Sequence, residues 1–246
     1  MTTVLKLGGS IITHKDAVES VDEVRLTALA NAIADTADPL VIVHGGGSFG
    51  HHHAAAHGVS STDGTTDPAV IMAIHSAMRR LNQVVVDRLI AAGVPAVPMA
   101  PLGFAHRGPT DDLHLASDAM ELALERGFTP VCFGDIIMDA DRGASILSGD
   151  RLVGAVAQQI GADRVGLCGD VAGVLSAEGE VIERITSFAA VADSVGSSSV
   201  TDVTGGMAGK VRAMLALGRP VRIFGVDDLG EFLAGEAVGT LVAGSR

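Results

Sequence analysis

The chain has 246 residues, of which 48% are hydrophobic and only 19% charged, which predicts a globular protein with a full core and excludes a disordered chain. A formal net charge of −12 and the absence of Trp and Tyr argue against a nucleic-acid partner, which needs a basic face or aromatic stacking platforms. No apolar run reaches the roughly 18 residues that cross a bilayer, and the chain starts with a strand-like segment instead of a signal peptide, so we expect a cytoplasmic protein with no membrane partner.

Apolar runs alternate with amphipathic stretches, a pattern typical of an α/β protein. Asp22, Asp67 and Ser117 are good helix N-caps. The predicted strands are Val4–Leu7, Leu40–His44, Ala96–Met99, Pro130–Phe133, Arg164–Cys168, Val221–Phe224 and Thr240–Val242. The predicted helices are Asp22–Ala34, Pro68–Ala92, Ser117–Glu125, Asp150–Ile160, Met207–Leu217 and Asp228–Ala234.

Three further stretches, Phe104–Leu115, Ile136–Leu147 and Gly173–Ile182, are predicted to form hairpins. No Pro- or Ser-rich linker divides the chain, although a small-residue patch, Gly196–Ser199, predicts a mobile loop. We therefore expect one structural unit, a three-layer αβα sandwich around one continuous and mainly parallel sheet. A substrate-binding lobe is expected over residues 1–138 and a nucleotide-binding lobe over residues 139–246.

Two cysteines, Cys132 and Cys168, lie in apolar strand-like runs. They are expected to be buried, reduced thiols, as in a cytosolic protein.

The distribution of lysine is the first indication of chemistry. The chain has 17 basic residues but only three lysines, Lys6, Lys15 and Lys210, and each lies near a glycine-rich turn. Glycine lets backbone amides approach an anion, and lysine is a compact positive charge suited to phosphate. Chance placement explains any one of these lysines but is a weak explanation for all three, so the pattern predicts a phosphate-transfer site.

A second glycine-rich motif, HGGGSFGHHH, leaves the strand Leu40–His44 and enters a helix. A helix N-terminus there would point at the same space, and His51 in its first turn could donate a hydrogen bond to a phosphate. The alternative interpretation is a flexible turn.

The neighbouring histidines are open to a different interpretation. His53 and His57 have the i, i+4 spacing that can chelate zinc, but no carboxylate or cysteine is near them in sequence. We therefore expect no metal site, and we expect His52 and His53 on the surface or at an interface.

Two aspartates complete the candidate set. Asp135 follows a strand and could orient a lysine ammonium group. Gly149 and Asp150 could cap the next helix and border the substrate pocket, although capping alone is nearly as good an explanation for Asp150.

Taken in order from Lys6 to Lys210, the motifs KLGGS, HGGGSFGH, GD, SGD, D-x-x-G-V and TGGM-x-x-K resemble the amino acid kinase superfamily. Within it the chain is most similar to the isopentenyl phosphate kinase family, because a histidine follows SFG, whereas relatives that phosphorylate carboxylates generally lack it. The resemblance implies transfer of the γ-phosphoryl group of ATP to isopentenyl phosphate, with Mg²⁺ held mainly by the nucleotide phosphates. It also implies a homodimer, for which the helix face Val84–Leu89 is our candidate surface.

The resemblance further implies roles for individual residues. Lys6 would bridge the transferred phosphoryl group with Lys15 close by, and His51 would bind the acceptor phosphate. The nucleotide side would comprise Gly8, Gly9, Ser10, Gly46, Asp170, Gly173, Gly206 and Lys210. The acceptor side would comprise Gly45, Gly50, His51 and Gly149, with the amides of Gly45, Gly46 and Gly50 facing the phosphates.

No motif marks the pocket for the prenyl tail, and our candidates for it are Ile71, Ile74, Ile136 and Ile146, with ordinary core packing as the alternative. Two other functions stay open from the sequence. One is a kinase of another small phosphate or phosphonate acceptor, similar to fosfomycin kinases. The other is a non-catalytic nucleotide or oxyanion binder of the same fold.

Overall fold

The apolar runs form strands of two sheets in a computed structural model of the protein, which describes residues 1–192 and 206–243. Numbered along the chain, the strands are β1 Thr3–Leu7, β2 Leu40–His44, β3 Ala96–Pro98, β4 Ala105–Arg107, β5 Leu113–Leu115, β6 Thr129–Phe133, β7 Asp135–Asp139, β8 Gly143–Leu147, β9 Arg164–Gly169, β10 Arg184–Ile185, β11 Val221–Gly225 and β12 Thr240–Val242. All seven strands predicted from the sequence are present, with ends shifted by at most one residue.

The larger sheet has the order β10-β12-β11-β9-β1-β2-β6-β3. Strand β1 lies near its centre and pairs in parallel with β2 on one side and with β9 on the other. Only the β11–β12 pair is antiparallel. The expectation of a mainly parallel sheet running through both halves of the chain is therefore confirmed.

The smaller sheet has the order β5-β4-β7-β8 and was not predicted as a separate sheet. The predicted hairpins Phe104–Leu115 and Ile136–Leu147 are its antiparallel pairs, β4–β5 and β7–β8, and a parallel β4–β7 contact joins them. The third predicted hairpin has a single bridge, Leu175 to Val181, and no strands. Because β7 and β8 pair along their whole length, a lobe boundary after residue 138 would cut this sheet.

Eight α-helices are present in the described residues: α1 Gly9–Ile12, α2 Glu23–Ala34, α3 Gly47–Ala56, α4 Pro68–Ala91, α5 Asp118–Glu125, α6 Gly149–Gln159, α7 Gly206–Ala216 and α8 Leu229–Ala234. Asp22 and Asp67 act as the predicted N-caps, accepting hydrogen bonds from the amides of Arg25 and Ala69. Ser117 does not, because its hydroxyl donates to Glu121 instead. The short helix α1 lies where the sequence predicted only a tight turn.

Helices cover both faces of the larger sheet and produce two large apolar clusters, one on each face. The two cysteines are buried and unpaired, as predicted, and burial raises the pKa of each thiol to about 12. Among the described residues, no helix combines the length and hydrophobicity needed to cross a bilayer. The segment Gly196–Ser199 lies outside the described residues.

The helix face Val84–Leu89 is not an exposed apolar surface. Val85, Val86 and Leu89 are at most 3% exposed and pack in the core beneath α4. The prediction that this face is a dimer surface is wrong, because the hydrophobic residues that suggested it already stabilise the monomer.

Candidate active site

The candidate residues meet at the carboxyl ends of the central strands of the larger sheet. Three glycines, each one residue beyond the end of its strand, donate their amides to the ends of neighbouring strands at 2.9–3.0 Å. The amide of Gly8 donates to the carbonyl of Cys168, the amide of Gly45 to the carbonyl of Leu7, and the amide of Gly134 to the carbonyl of His44. These bonds bring the loops after β1, β2, β6 and β9 together. In open α/β sheets, ligands usually bind at this edge, next to a strand from which the chain continues to both sides of the sheet.

The loops after β1 and β2 touch through their backbones. A Cβ atom on Gly9 would lie 2.2 Å from the nitrogen of Gly47, and one on Gly45 would lie 2.6 Å from the nitrogen of Gly9. Contacts this short do not occur, so Gly9 and Gly45 must lack side chains for the loops to meet. The starts of α1 and α3 are therefore held side by side.

Neither of these helix starts is capped by its own N-cap residue. The N-cap residues are Gly8 for α1 and Gly46 for α3, which have no side chain to accept a hydrogen bond. In α3, the amide of the second residue, Ser48, donates to the hydroxyl of Thr13 at 3.0 Å. The first amides of a helix without a cap can bind an anion, and the helix dipole favours one there. The start of α1 and the amides of α3 that precede Ser48 can therefore bind phosphate oxygens together.

Two of the predicted amide donors are not available for this role. The amide of Gly45 bonds to Leu7 in the sheet, and the amide of Gly50 bonds to the carbonyl of Gly46 inside α3. The prediction that these two amides face the phosphates is wrong for this structure. Gly50 instead lies against Met78 of α4, whose sulfur would be 2.8 Å from a Cβ atom on it.

Lys6 lies on β1 beneath these loops and is 7% exposed. Its Nζ atom donates to Oδ1 of Asp150 at 2.5 Å, and Asp150 is in the first turn of α6. Gly149 lies close to both β1 and β2, since a Cβ atom on it would be 3.4 Å from Cε of Lys6 and 3.3 Å from the carbonyl oxygen of His44. The N-cap of α6 is Ser148, whose hydroxyl accepts from the amide of Arg151, so the expectation that Gly149 or Asp150 caps this helix is wrong.

Asp135 does not contact a lysine in this structure. Its carboxylate accepts a hydrogen bond from Nδ1 of His75 on α4 at 2.9 Å, and the pair is buried. Burial raises the pKa of Asp135, although the hydrogen bond and charge of His75 act in the opposite direction. The prediction that Asp135 orients a lysine is wrong, because β7 directs it beneath α4 and Asp150 takes that position.

Lys15 and Asp170 are also brought together. Nζ of Lys15 donates to Oδ2 of Asp170 at 2.8 Å, and Asp170 directly follows β9. The hydrogen bond from Lys15 lowers the pKa of Asp170, and the nearby charge of Lys210 contributes in the same direction. All three lysines therefore act electrostatically at the same edge of the sheet.

The remaining glycines of the candidate nucleotide side have identifiable local roles. A Cβ atom on Gly173 would lie 2.7 Å from Oγ1 of Thr240, so this glycine permits close packing of the loop after β9. Gly206 begins α7 with a positive φ of 57°, and Ser10 is the second residue of α1. The part of the TGG motif that precedes Gly206 lies outside the described residues.

The histidines of α3 differ in their surroundings. His51 and His52 are exposed, whereas His53 is half-buried. Nε2 of His53 lies 2.7 Å from Oε1 of Glu19, which also binds Arg80. His53 therefore belongs to an ion-pair cluster between α3, α4 and the loop before α2.

His44, the last residue of β2, was not among the candidates predicted from the sequence. Its ring is buried between the carbonyl of Gly45, 3.0 Å from Nδ1, and the side chain of Asn82 on α4, 3.1 Å from Nε2. Burial lowers the pKa of His44 to about 4, which keeps the ring neutral. A histidine ending an apolar strand just before a glycine loop was the only available signal.

The four isoleucines proposed for the prenyl pocket form part of one small apolar cluster, separate from the two large ones. Ile74 and Ile136 are buried in it, and Ile71 and Ile146 pack against it from half-buried positions. The cluster lies between α4 and the β7–β8 hairpin.

Comparison with known proteins gives consistent results. Residues 1–225 match the model of the amino acid kinase family. An isopentenyl phosphate kinase of Haloferax volcanii is 54% identical over 243 residues and covers 98% of each chain. An isopentenyl phosphate kinase of Methanothermobacter thermautotrophicus is 36% identical over 87% of this chain and 86% of its own. A crystal structure described as isopentenyl phosphate kinase superposes with a TM-score of 0.84 at 29% identity over 98% of both chains.

Proposed function

The chain belongs to the amino acid kinase family, and from this premise we propose that it phosphorylates isopentenyl phosphate with ATP, giving isopentenyl diphosphate and ADP for isoprenoid biosynthesis. The observation that carries the proposal is the 54% identity, over 98% of both chains, to a relative with this activity in its name. The buried Lys6 beneath two helix starts whose N-cap residues are glycines supports the phosphoryl-transfer chemistry.

In the proposed reaction, a terminal oxygen of the acceptor phosphate attacks the γ-phosphorus of ATP. A new phosphorus–oxygen bond forms, and the bond between the γ-phosphorus and the β–γ bridging oxygen breaks, so that ADP leaves. A phosphomonoester has its second pKa near ~6, so the acceptor is mostly a dianion at neutral pH and needs no general base. The enzyme's main task is to position two anions and to reduce their repulsion.

The residues proposed for this task are cationic or amide donors. Lys6 would hold the transferred phosphoryl group, with Lys15 close by, and Asp150 would fix the direction of the Lys6 ammonium group. The starts of α1 and α3 would bind phosphate oxygens, and the exposed His51 would donate to the acceptor phosphate. Asp170, Gly173, Gly206 and Lys210 would contact ATP, with Ser10 at the phosphate end.

Mg²⁺ would be held mainly by the phosphate oxygens of ATP and would neutralise part of their charge. The carboxylates nearest the phosphate site, Asp150 and Asp170, each already accept a lysine hydrogen bond. This donor set fits an ion that enters with the nucleotide more readily than one held by a protein cage.

The small apolar cluster under α4 is the proposed position of the prenyl tail. It continues from the acceptor side of the site, because Met78, which touches Gly46 and Gly50, lies one helical turn from Ile74. The five-carbon tail of the acceptor would insert between the side chains of this cluster and replace some of the contacts that they make with each other. Substituting Ile71 or Ile146 should therefore raise the KM for isopentenyl phosphate without changing the KM for ATP.

A cytoplasmic location and a homodimer are also proposed, on the family resemblance alone. The dimer surface must differ from Val84–Leu89, whose apolar side chains are largely in the core.

An ADP-release assay with ATP and Mg²⁺, run at low and at molar salt because the chain is strongly acidic, tests the function. Isopentenyl phosphate, fosfomycin, acetylglutamate, glutamate and UMP should be compared as acceptors. Turnover on isopentenyl phosphate alone is the expected result. Activity on a different acceptor would keep the reaction class and overturn the substrate, and nucleotide binding without any turnover would favour a non-catalytic binder.

A further inference from the structure

Arg151 connects the candidate active site to the smaller sheet. It follows Asp150 directly in the first turn of α6. Its Nη1 atom donates to Oδ2 of Asp111 at 2.7 Å, and its Nη2 atom donates to the main-chain carbonyl of the same residue at 2.6 Å. One guanidinium group thus binds both the side chain and the backbone of Asp111, which lies in the loop between β4 and β5.

Asp111 has an unusual backbone conformation. Its φ of 65° lies in the left-handed region, which residues other than glycine seldom adopt, although Asp tolerates it better than most. Partial burial acts to raise the pKa of Asp111, but the hydrogen bonds and charges of Arg151 and Arg107 outweigh it and lower the pKa. The carboxylate is therefore ionised at neutral pH and suited to a guanidinium partner.

The loop that carries Asp111 is itself anchored in the smaller sheet. Nη1 of Arg107 on β4 donates to Oδ1 of Asp111 at 2.8 Å. The Arg107 side chain is fully buried, and its Nε atom lies 3.3 Å from Oδ2 of Asp139 on β7. Asp111 consequently binds Arg107 of the small sheet and Arg151 of α6, and Nη1 of Arg142, in the turn between β7 and β8, lies 3.9 Å from its Oδ1 atom.

We propose that Asp111 is a positioning residue for phosphoryl transfer, which acts through Arg151 on the first turn of α6. This inference rests on the proposed function. Because Asp150 and Arg151 are consecutive in one helical turn, a displacement of Arg151 moves Asp150 and with it the ammonium group of Lys6. Transfer between two anions depends on sub-ångström placement of such groups, and a shift of about 1 Å can cost up to about a hundredfold in rate.

Because this ion pair is exposed, a positioning role and a stabilising role predict different effects of breaking it. The side chains of Arg151 and Asp111 are 40% and 48% exposed. Pairs so exposed to solvent contribute little to the free energy of unfolding. Breaking the pair from the Arg151 side should therefore leave the stability of the protein nearly unchanged while altering the surroundings of Lys6. Removing the Asp111 carboxylate also takes a partner from the buried Arg107 and should lower the stability.

Two variants and one control test the contact. Asp111→Gly removes the carboxylate, which Arg107 also binds, but keeps the left-handed backbone and the carbonyl acceptor. Arg151→Lys leaves the bond between Asp111 and Arg107 in place and keeps the charge, but cannot bind both oxygens in the same planar arrangement. The control is Asp112→Asn, which makes the same charge change on the adjacent residue, whose side chain accepts from Thr110.

The first readout needs no acceptor. Lysine labelled with ¹³C at Cε gives only three side-chain NMR signals in this chain, because it contains three lysines. They can be assigned with Lys15→Arg and Lys210→Arg. We expect the Lys6 signal to shift in Asp111→Gly and Arg151→Lys and to stay in place in Asp112→Asn. An unchanged Lys6 signal in the first two variants would overturn the proposal.

The second readout is steady-state kinetics. In Asp111→Gly we expect kcat to fall by about fivefold to tenfold, with the KM for ATP within about twofold of the wild-type value. The double variant should be no slower than the slower single variant. Additive losses, or an equal loss in Asp112→Asn, would contradict the proposal. Failure of the wild type to use isopentenyl phosphate would overturn the proposed function instead, while the lysine spectra still decide the positioning role.

Discussion

Lys6 and Asp150 are separated by 144 positions in the chain, yet their side chains meet at 2.5 Å between β1 and the first turn of α6. The lysine side chain is 8% exposed and the aspartate side chain 15%. Removing a buried ammonium group that neutralises transition-state charge commonly costs a few kcal/mol.

We expect Lys6→Ala to lower kcat by at least about 100-fold, because the group that offsets phosphate repulsion is lost. Asp150→Asn should also lower kcat, because it leaves the buried lysine without its counter-charge. Steady-state ADP release measures both effects. Arg126→Ala removes one positive charge from an exposed position one residue beyond the end of α5 and should leave kcat unchanged. A Lys6→Ala enzyme that kept a tenth of the wild-type kcat would exclude the assigned role.

His51→Ala should raise the KM for isopentenyl phosphate or lower kcat by about tenfold, the worth of one charge-assisted hydrogen bond. The KM for ATP should not change. Folding should be retained because the side chain is exposed on α3. His52→Ala, on the next exposed position, is the matched control. Equal kinetics in the two variants would remove His51 from the acceptor site.

Gly9→Ala should separate the loops after β1 and β2. The new methyl group would lie 2.2 Å from the nitrogen of Gly47, and the neighbouring atoms belong to backbone, which cannot rotate away. We expect a loss of about 1–3 kcal/mol in the free energy of unfolding, measured in urea, together with a lower kcat. Gly103→Ala, where no atom lies within 4 Å of the new Cβ, is the control and should alter neither quantity.

His44 should make the protein less stable in mild acid. Its pKa is about 4 in the folded chain, against an ordinary histidine value of 6.5, so the unfolded chain binds more protons between these values. Stability therefore falls as the pH drops from about 6.5 to about 4, with His44 contributing up to about 3 kcal/mol. Urea unfolding at constant salt measures the slope. An NMR titration of the His44 ring with a midpoint near 6.5 would contradict this assignment.

Asp139→Asn should destabilise the smaller sheet. The Asp139 carboxylate and the Arg107 guanidinium are both fully buried, so removing the negative charge leaves a buried cation with less compensation, at a cost of about 3 kcal/mol. Asp141→Asn changes an exposed carboxylate two residues away and should cost little. Equal unfolding midpoints in urea for the two variants would show that the Arg107–Asp139 pair does not support the sheet.

Asp139 should also affect how the free energy of unfolding changes with pH in acid. Burial acts to raise its pKa, but hydrogen bonds from Ser145 and from the amides of Asp141 and Arg142 outweigh burial and lower the pKa to about 2. Because the folded-state pKa is below the unfolded value of 3.8, this stabilisation is complete above about pH 4 and is lost as the pH falls toward 2. The difference in stability between wild type and Asp139→Asn should therefore shrink over that interval.

Local patterns predicted most of the fold. Strands such as Leu40–His44 have the same bounds in the sequence prediction and in the structure, because short apolar runs bounded by glycine leave few alternatives. The partition into two sheets was missed because hairpin signals indicate which segments pair locally, whereas the β4–β7 contact joins segments distant in the chain. The short helix α1 was missed because its four residues carry no periodic pattern.

The sequence predicted the motifs of the candidate site, but it did not predict which of their side chains contact each other. Glycine and lysine spacing identified Lys6 and Lys15, but only the fold determines that Asp150 and Asp170 are their partners. Asp135 was misassigned because an aspartate after a strand has the same local sequence whether it is directed into a cleft or beneath a helix. His44 and Asn82 were missed because a buried pair between a strand end and a helix interior has no local signature.

The burial of both thiols has a practical consequence. Cys132 and Cys168 are the only cysteines of the chain, and both are buried away from a thiol-directed reagent. Burial also raises both pKa values to about 12, which disfavours the reactive thiolate. A cysteine introduced at an exposed position such as Asp112 would therefore be a unique attachment point for a fluorophore or spin label. The mobility or emission of that label could then follow the β4–β5 loop during turnover without first replacing the native cysteines.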